Sequence, residues 1–403
     1  METPFALSGC KSNGGWRILA IAAVTIVAVA LPACAQSPNA GAPIKVGVAF
    51  PLTGPIAGNG RASRDAVQLA FGEEDNEIAG RKIELLFEDT QGKPDFGLSK
   101  IKSLVERDHV DMLVSVVVST VAAAVAPYIK EAHVPWITTG SLVALTRDLK
   151  NPYTFRMVPS SYQYGLVAAD WAKKQGWKKI DYVGWNAAPA REAFDAIKKV
   201  YPPDTVTEAL FPNVGTPDYS PYLTKLDPSQ ADGVLVSIWG DDAPRIARQY
   251  AEFGLKGKMP FFGVASFTAE EGLADMPLEV EGAMSAYVYC GTLDTSENKR
   301  FVSGYEAQFK KTPGPYPYLA YMGAKAAIQS IKEVNGHIED HDAFLTALRK
   351  VQLDGPMGKV SFDDRQGMVG DFYVLKVVKQ DGQLQNACVE RIPQSRDPYD
   401  LFP

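Results

Sequence analysis

The sequence predicts an α/β protein whose sheets are largely parallel. Short apolar runs rich in β-branched residues alternate with amphipathic helical patterns along most of the chain. The alternation runs to about residue 140 and starts again near residue 152, so two α/β units are expected. A chain of 403 residues, with 46% hydrophobic and 22% charged residues, is long enough for two or three domains with ordinary cores.

The first 35 residues are predicted to be an export signal outside the fold. Lys11 and Arg17 precede the apolar run "ILAIAAVTIVAVALPACA", which ends in an A-x-A cleavage pattern. A membrane anchor is one alternative, but no basic cluster follows the run. Lipidation at Cys34 is a second alternative, because "LPAC" resembles a lipoprotein box. We favour cleavage after Ala35.

The first unit contains four apolar runs with helical patterns between them. The predicted strands are Ile44–Phe50, Lys82–Asp89, Val110–Val118 and Val134–Gly140. The predicted helices are Ser63–Asp75, Asp95–Arg107 and Ser119–Ala132. Strands and helices that alternate at this spacing indicate βαβ units, with a parallel sheet covered on both faces.

The second unit repeats this order and then becomes more helical. Its predicted strands are Pro152–Ser160, Lys179–Trp185, Ala231–Gly240, Met259–Ser266 and Ala283–Cys290. Its predicted helices are Tyr164–Trp177, Ala190–Tyr201, Ala243–Gly254, Phe301–Lys311, Leu319–Val334 and Asp342–Val351. The stretches "GKVSFDD" and "GDFYVLKVVKQDG" predict β-structure near the end, before an irregular tail. Ligands bind beyond the carboxyl ends of parallel strands, so a cleft between two such units would present loops from both.

The glycine-rich opening loop "PLTGPIAGNGRAS" fits neither common phosphate-binding motif. Gly54 and Gly60 are one residue too far apart for a P-loop, and Arg61 stands where its lysine is required. The dinucleotide pattern fails at Ser63, where a third glycine is needed. We therefore interpret the glycines as turn residues that supply positive φ.

Other reaction centres are also missing from the sequence. His337 and His341 have the spacing of a zinc-protease motif, but Ile338 stands where that motif needs glutamate. No G-x-S-x-G elbow occurs, and a net charge of −6 without a basic patch disfavours a nucleic-acid partner. We expect no metal, no cofactor and no catalytic residues. If Cys10 and Cys34 leave with the signal, Cys290 and Cys388 remain, either paired or as buried thiols.

Four stretches together resemble a known family. They are "IKVGVAFPLTGPIAGNGRASRDAVQLA", "PYTFRMVPSSYQYG", "ADGVLVSIWGDDAPRIARQYAEFGLKGKMPFFG" and "GPYPYLAYMGAKAAIQSI". Their order and spacing resemble the periplasmic solute-binding proteins of branched-chain-amino-acid-type ABC importers. The resemblance implies the type I periplasmic binding protein fold, with two Rossmann-like lobes joined by three hinge crossovers. Lobe one would comprise 44–155 plus 287–367, and lobe two 156–286 plus 368–403.

The resemblance also implies a function. The protein would capture a small carboxylate, amide or amino-acid-like ligand by hinge closure. It would then deliver the ligand, as a periplasmic monomer, to the membrane permease of an ABC importer. An exported ligand sensor for chemotaxis or signalling is the alternative, and an enzyme is disfavoured. Because Cys290 and Cys388 each follow a crossover strand of the family's fold, the resemblance places them close together and allows a disulfide.

Carrying over the family's ligand positions gives a candidate site. Lobe one would contribute Asn59 from the opening loop, Ser119 and Thr120 at a helix start, Thr139, Gly140 and Ser141 after the next strand, and Tyr316 and Tyr318 near the hinge. Lobe two would contribute Tyr162, Trp239, Gly240 and Asp241. Core packing is the alternative role for each aromatic residue.

One departure from the family bears on the ligand. Amino-acid-binding members carry a glutamate for the ligand ammonium where this chain has Ala265. An unpaired buried ammonium would be costly. Either Asp241 or Asp242 replaces that glutamate, or the ligand carries no ammonium. We favour a carboxylate or amide with an apolar or aromatic body.

Overall fold

A computed structural model describes residues 41–54, 56–273, 275–380 and 382–402. The predicted signal peptide and the lipidation site at Cys34 lie outside these residues. Within the described ranges the chain forms one sheet of six strands and one of nine, with helices packed around them. None of the helices in these ranges combines the length and the apolar character needed to cross a bilayer.

The strands and helices follow one another in α/β order. The strands are β1 (Ile44–Phe50), β2 (Glu77–Ile78), β3 (Arg81–Asp89), β4 (Met112–Ser115), β5 (Trp136–Thr138), β6 (Thr154–Arg156), β7 (Ile180–Gly184), β8 (Val206–Leu210), β9 (Gly233–Ser237), β10 (Phe261–Val264), β11 (Met284–Tyr287), β12 (Gln352–Gly355), β13 (Gly358–Phe362), β14 (Met368–Gln380) and β15 (Gln383–Ser395). The helices are α1 (Ala57–Gly72), α2 (Pro94–Lys102), α3 (Ser119–Ala132), α4 (Ser161–Lys174), α5 (Ala188–Val200), α6 (Ser220–Leu223), α7 (Asp242–Glu252), α8 (Glu270–Leu273), α9 (Ser296–Phe309), α10 (Pro315–Glu333) and α11 (His341–Arg349).

The six-stranded sheet has the order β2-β3-β1-β4-β5-β6. Its strands are parallel except at the edge, where β2 is antiparallel to β3. Strand β1 is buried along nearly its whole length. A parallel strand covered by helices on both faces needs such an apolar run, which explains the sequence "IKVGVAF".

The nine-stranded sheet has the order β12-β13-β14-β11-β10-β9-β7-β8, and β15 pairs with β14. Strands β7 to β11 are parallel, whereas β14 runs antiparallel to β11 and to β15. The prediction of an irregular tail after β14 was therefore wrong for Gln383–Ser395. This outer strand is mostly exposed and polar, so it lacks the apolar run by which the inner strands were recognised.

The chain passes between the two sheets three times. It leaves the six-stranded sheet after β6, and it leaves the nine-stranded sheet after β11 to form α9 and α10, which pack on α1. Tyr305 of α9 donates a hydrogen bond to the Ala62 carbonyl over 3.2 Å. After α11 the chain returns through β12 and β13, which extend the larger sheet because β13 pairs with β14. The N–H of Arg156 donates to the Gln366 carbonyl over 2.9 Å, tying the first passage to the third.

Two further links brace the passages. A disulfide joins Cys290, just after β11, to Cys388 of β15, with Cα atoms 6.0 Å apart. The C-terminal tail is held by Asp397, whose fully buried carboxylate forms ion pairs with Arg147 and Arg156. Burial by itself raises the pKa of Asp397, but the two guanidinium groups outweigh burial and leave the pKa below its ordinary value. The tail is therefore anchored by a compensated buried charge.

Candidate functional site

Backbone strain marks the carboxyl end of β4. Val116 has φ +68°, a conformation that is rare for a β-branched residue and is often found at functional sites. Its carbonyl oxygen accepts hydrogen bonds from the N–H and the hydroxyl of Thr139, at 3.1 and 3.0 Å. Gly140 is buried beside α3, where a methyl group would lie 2.9 Å from Cβ of Ala122. The loop after β5 is thus fixed against the start of α3.

Three serine hydroxyls meet at this point. Oγ of Ser141 lies 3.4 Å from Oγ of Ser119 and 3.4 Å from Oγ of Ser161. Ser119 and Ser161 are the first residues of α3 and α4, and both are buried. The first N–H groups of a helix have no partner inside the helix, and this end of the helix attracts negative charge. The arrangement can therefore hold an anion such as a carboxylate.

The side chains of Ser119 and Ser161 do not cap the helices that they begin. The N-cap of α3 is Val118, and it makes no side-chain capping bond. Ser160 caps α4 by accepting from the N–H of Gln163 at 3.2 Å, while Gln163 accepts from the N–H of Ser160. The hydroxyls of Ser119 and Ser161 therefore remain directed at Ser141. Thr120, the next residue of α3, is exposed.

A carboxyl group from the other sheet borders the serine cluster. Glu192 belongs to α5, which connects β7 to β8, and accepts from the N–H of Val143 at 3.4 Å. Burial raises the pKa of Glu192 to about 7, although a hydrogen bond from Ser161 lowers it in part. Glu192 therefore changes its charge near neutral pH, next to the place where an anion would bind.

Two tryptophans lie at the carboxyl ends of β7 and β9. The rings of Trp185 and Trp239 are 4.6 Å apart. Trp185 donates its indole N–H to Asp242 over 3.0 Å, and Asp242 also pairs with Arg245. Asp242 is therefore buried and fully engaged, whereas Asp241 before it is exposed. Gly240, which follows Trp239, has φ +58°, which a glycine adopts without strain.

A third group of polar atoms joins β10 to α10. Ala265, just after β10, has φ +58°, which directs the chain into the turn that carries Ser266. The hydroxyl oxygens of Ser266 and Tyr316 lie 3.0 Å apart. Tyr318 follows Tyr316 by two residues on α10. It is 1% exposed, and its ring centre lies 5.5 Å from that of Tyr289. Tyr318 is therefore core packing, and Tyr316 is the tyrosine that reaches across to the other sheet.

The opening loop differs in part from the prediction. Asn59 lies inside α1 rather than on a loop, and its side chain is half-buried. Gly54 does have φ +91°, but Gly60 serves a different purpose, because a Cβ there would lie 1.9 Å from the Pro51 carbonyl oxygen. Asp89 holds the loop by accepting from the Leu52 N–H at 2.8 Å.

Comparison with known proteins decides the family. A family model described as "Periplasmic binding protein" matches residues 43–383. The chain belongs to this family. It is 25% identical over 390 residues to Leu/Ile/Val-binding protein homolog 6 of Brucella suis biovar 1 (strain 1330), covering 93% of this chain and 98% of that protein. The fold is therefore the type I periplasmic binding protein fold of the branched-chain amino acid family.

Two solved structures are similar to it over most of their length. An ABC transporter substrate-binding protein from Sphaerobacter thermophilus is 30% identical, with a TM-score of 0.83 and coverage of 87% of this chain and 98% of that one. A solute binding protein from Rhodopseudomonas palustris BisB5, in complex with 3,4-dihydroxy benzoic acid, is 26% identical. It has a TM-score of 0.83 and coverage of 89% and 99%. This family consists of substrate-binding proteins rather than enzymes.

The periplasmic binding protein brings only some of the predicted site residues together. Ser119, Thr139, Gly140 and Ser141 form one group, and Tyr316 faces Ser266 in another. Tyr162 is not in either group, since its ring stacks 3.9 Å from that of Phe402 in the tail.

The sequence reasoning missed Ser161, Glu192, Trp185 and Ser266. The pattern S-x-x-Q at Ser160 to Gln163 marks a capping box and would have indicated that Ser160, rather than Ser161, caps α4. The other three carry no local signal, because each depends on a neighbour that is distant in the chain.

Proposed function

We propose that this protein captures a small carboxylate with an aromatic or apolar body between its two lobes. The observation that carries the proposal is the serine cluster, in which hydroxyls after β4, β5 and β6 meet at two helix N-termini. A carboxylate placed there would accept hydrogen bonds from Ser119, Ser141 and Ser161 and would meet the positive ends of α3 and α4. Thr139 and Gly140 hold the loop that presents Ser141.

The surroundings favour a ligand without an ammonium group. Ala265 stands where a relative of the amino-acid-binding type would offer a glutamate, and Asp242 is already engaged by Trp185 and Arg245. The tryptophans at the ends of β7 and β9, together with Tyr316, offer flat apolar surfaces suited to an aromatic ring. The similar protein of R. palustris binds a hydroxylated benzoic acid, which agrees with this class of ligand.

Closure and delivery complete the proposed function. We infer that residues 44–155 and 287–367 form lobe one and that residues 156–286 and 368–403 form lobe two, with crossovers near Arg156, Tyr287 and Asp371. A ligand bound to one lobe would be enclosed when the other rotates about these crossovers. The closed protein, a monomer in the periplasm, would then bind the permease of an ABC importer. Asn59, at the rim of lobe one, would lie near the ligand's outer edge.

Calorimetric titration tests this function. We expect benzoate or 3,4-dihydroxybenzoate to bind at micromolar concentration or below, and leucine to bind far more weakly. In the Ser119→Ala variant the affinity should fall about tenfold or more, because a hydrogen bond to a charged group is lost. Ser303→Ala, on the exposed side of α9, is the control and should bind like the unaltered protein. Tight binding of leucine, or no effect of Ser119→Ala, would refute the proposal.

A further inference from the structure

The carboxyl group of Glu271 lies at a contact between elements of the two sheets. Glu271 belongs to α8, which follows β10 of the nine-stranded sheet, whereas α10 packs on α1 beside the six-stranded sheet. A methyl group on Gly314, the N-cap of α10, would lie 2.2 Å from Oε2 of Glu271. The glycine at this position therefore lets a carboxyl group from lobe two reach the backbone of lobe one.

This carboxyl group is buried without a partner. Neither oxygen of Glu271 has solvent access or a hydrogen-bond partner among the described residues. A buried polar group left unpaired is costly, and an unpaired carboxylate ion is far more costly than a neutral acid. The geometry thus calls for a carboxylic acid that carries its proton.

The side chains that face Glu271 offer no positive charge. They are Glu270 on its own helix, Tyr316 on α10, Tyr305 on α9, and Tyr287 and Tyr289 at the end of β11 and just after it. The hydroxyl of Tyr289 is itself buried and lacks a partner among the described residues. Each of these side chains is an acid, so none of them favours an ionised Glu271. The backbone N–H groups of Glu271 and of Tyr316, in the first turn of α10, do lower the pKa of Glu271, but burial outweighs them.

Glu270 provides a comparison within the same helix. It accepts from Nδ2 of Asn386, in lobe two, at 3.1 Å, and from the N–H of Gly291, just past the crossover near Tyr287, at 3.3 Å. Glu270 therefore has one partner, Asn386, in its own lobe, whereas the neighbour of Glu271, Gly314, lies in the other lobe. Separation of the lobes would hydrate Glu271 and leave the bond from Asn386 to Glu270 in place.

We propose that Glu271 is a closing contact of the cleft, which docks on α10 as a neutral acid and thereby couples ligand capture to the uptake of one proton. The inference rests on the proposed function, because it describes the closure of the same site. Burial, with a smaller contribution from the charge of Glu270, raises the pKa of Glu271 to about 8. Ser266, in the turn between β10 and α8, and Tyr316 of α10 lie 3.0 Å apart and form a neutral contact beside it.

The coupling between proton uptake by Glu271 and closure of the cleft has a definite sign. In an open form the carboxyl group would titrate near its ordinary pKa of 4.5, and in the closed form near 8. At a pH between these two pKa values only the closed form binds the extra proton. Closure therefore becomes less favourable as the pH rises from about 4.5 to about 8. Ligand would be held more tightly in mildly acidic solution and released more readily in alkaline solution.

The test measures 3,4-dihydroxybenzoate affinity as a function of pH. It uses a Glu192→Gln background, because Glu192 titrates beside the serine cluster. We expect affinity to fall about tenfold or more between about pH 6 and about pH 8, by proton linkage. Adding Glu271→Gln, a neutral residue of the same shape, should remove most of this dependence and preserve tight binding at the higher pH. Glu279→Gln, at an exposed position before β11, should leave the dependence unchanged.

A second measurement needs no ligand. The infrared C=O band of a protonated carboxylic acid should be present near neutral pH and should lose intensity in Glu271→Gln. If the band is present but 3,4-dihydroxybenzoate does not bind, the proposed ligand class is wrong and the neutral acid stands. If Glu271→Gln keeps the band, or keeps the full pH dependence of affinity, the coupling is wrong. Gly314→Ala should weaken binding at every pH, because the added methyl group blocks the approach of Glu271.

Discussion

Asp397 and Glu271 are both buried carboxyl groups close to the passages between the sheets, but their surroundings are opposite. Asp397 is paired with Arg147 and Arg156, and its pKa lies below the ordinary value. Glu271 has no partner among the described residues, and its pKa is raised to about 8. One site therefore keeps a compensated charge, and the other keeps a neutral acid.

The difference indicates what each contact is suited to do. The Asp397 cluster joins the tail to segments around β6, and removing any member would strand a buried charge, so this link resists opening. The Glu271 contact can be broken at little cost once water reaches the carboxyl group and the proton leaves. We infer that the tail is a permanent brace and that the contact with α10 is reversible.

The largest expected effect comes from breaking the compensated site. Asp397→Asn would leave two buried guanidinium groups without their counter-ion and should lower the free energy of unfolding by about 3–5 kcal/mol. Urea denaturation at neutral pH measures the change. Because the pKa of Asp397 is lowered on folding, its contribution is present above about pH 3.8 and is lost as the pH falls further.

The matched control for Asp397 is an exposed ion pair. Glu390 lies 3.0 Å from Lys174, and both side chains are largely exposed. Glu390→Gln should change stability by less than about 0.5 kcal/mol, as is usual for surface pairs. If Asp397→Asn had an equally small effect, the tail would not be a brace.

A smaller effect of opposite sign is expected at the neutral site. The folded-state pKa of Glu271 is raised above its ordinary value, so the residue costs stability as the pH rises from about 4.5 toward 8. Glu271→Gln should lie within about 1 kcal/mol of the unaltered protein near pH 5, and the gain in its free energy of unfolding should grow by about 3 kcal/mol between pH 5 and pH 8. Urea denaturation at the two pH values checks this, and a constant difference between them would contradict it.

The smallest effect is expected at the end of the tail. Phe402 stacks on Tyr162 with ring centres 3.9 Å apart. Phe402→Ala should lower the free energy of unfolding by about 1 kcal/mol, the usual contribution of an aromatic pair. Leu401→Ala, at the exposed neighbouring residue, should change it by less than about 0.5 kcal/mol. Equal effects of the two changes would show that the stack adds nothing to the brace.

Much of the fold was predictable because its strands are buried on both faces. Runs such as "IKVGVAF" and "ADGVLVSIWG" are apolar throughout, and each lies between helical patterns. Strand β15 was missed because it is an outer strand with a largely polar sequence. Asn59 was placed on a loop because glycines on both sides of it suggested a turn, whereas Gly60 is needed for close packing on Pro51.

The candidate site was less accessible to sequence reasoning. Ser119 and Ser141 could be proposed because helix starts and strand ends are visible in the pattern and the family resemblance pointed to them. Glu192 and Glu271 could not, because their charge states depend on burial by residues from another lobe.

The sequence by itself determined the order of most helices and inner strands, the two-part organisation and the family, because these depend on local periodicity and on motifs of contiguous residues. Only the tertiary structure decided which polar groups meet. Ser119, Ser141 and Ser161 are spread over 43 positions, and Asp397 lies 241 residues from Arg156. Desolvation and ion pairing act through space, so two carboxyl groups that look alike in the sequence acquire opposite charge states in the fold.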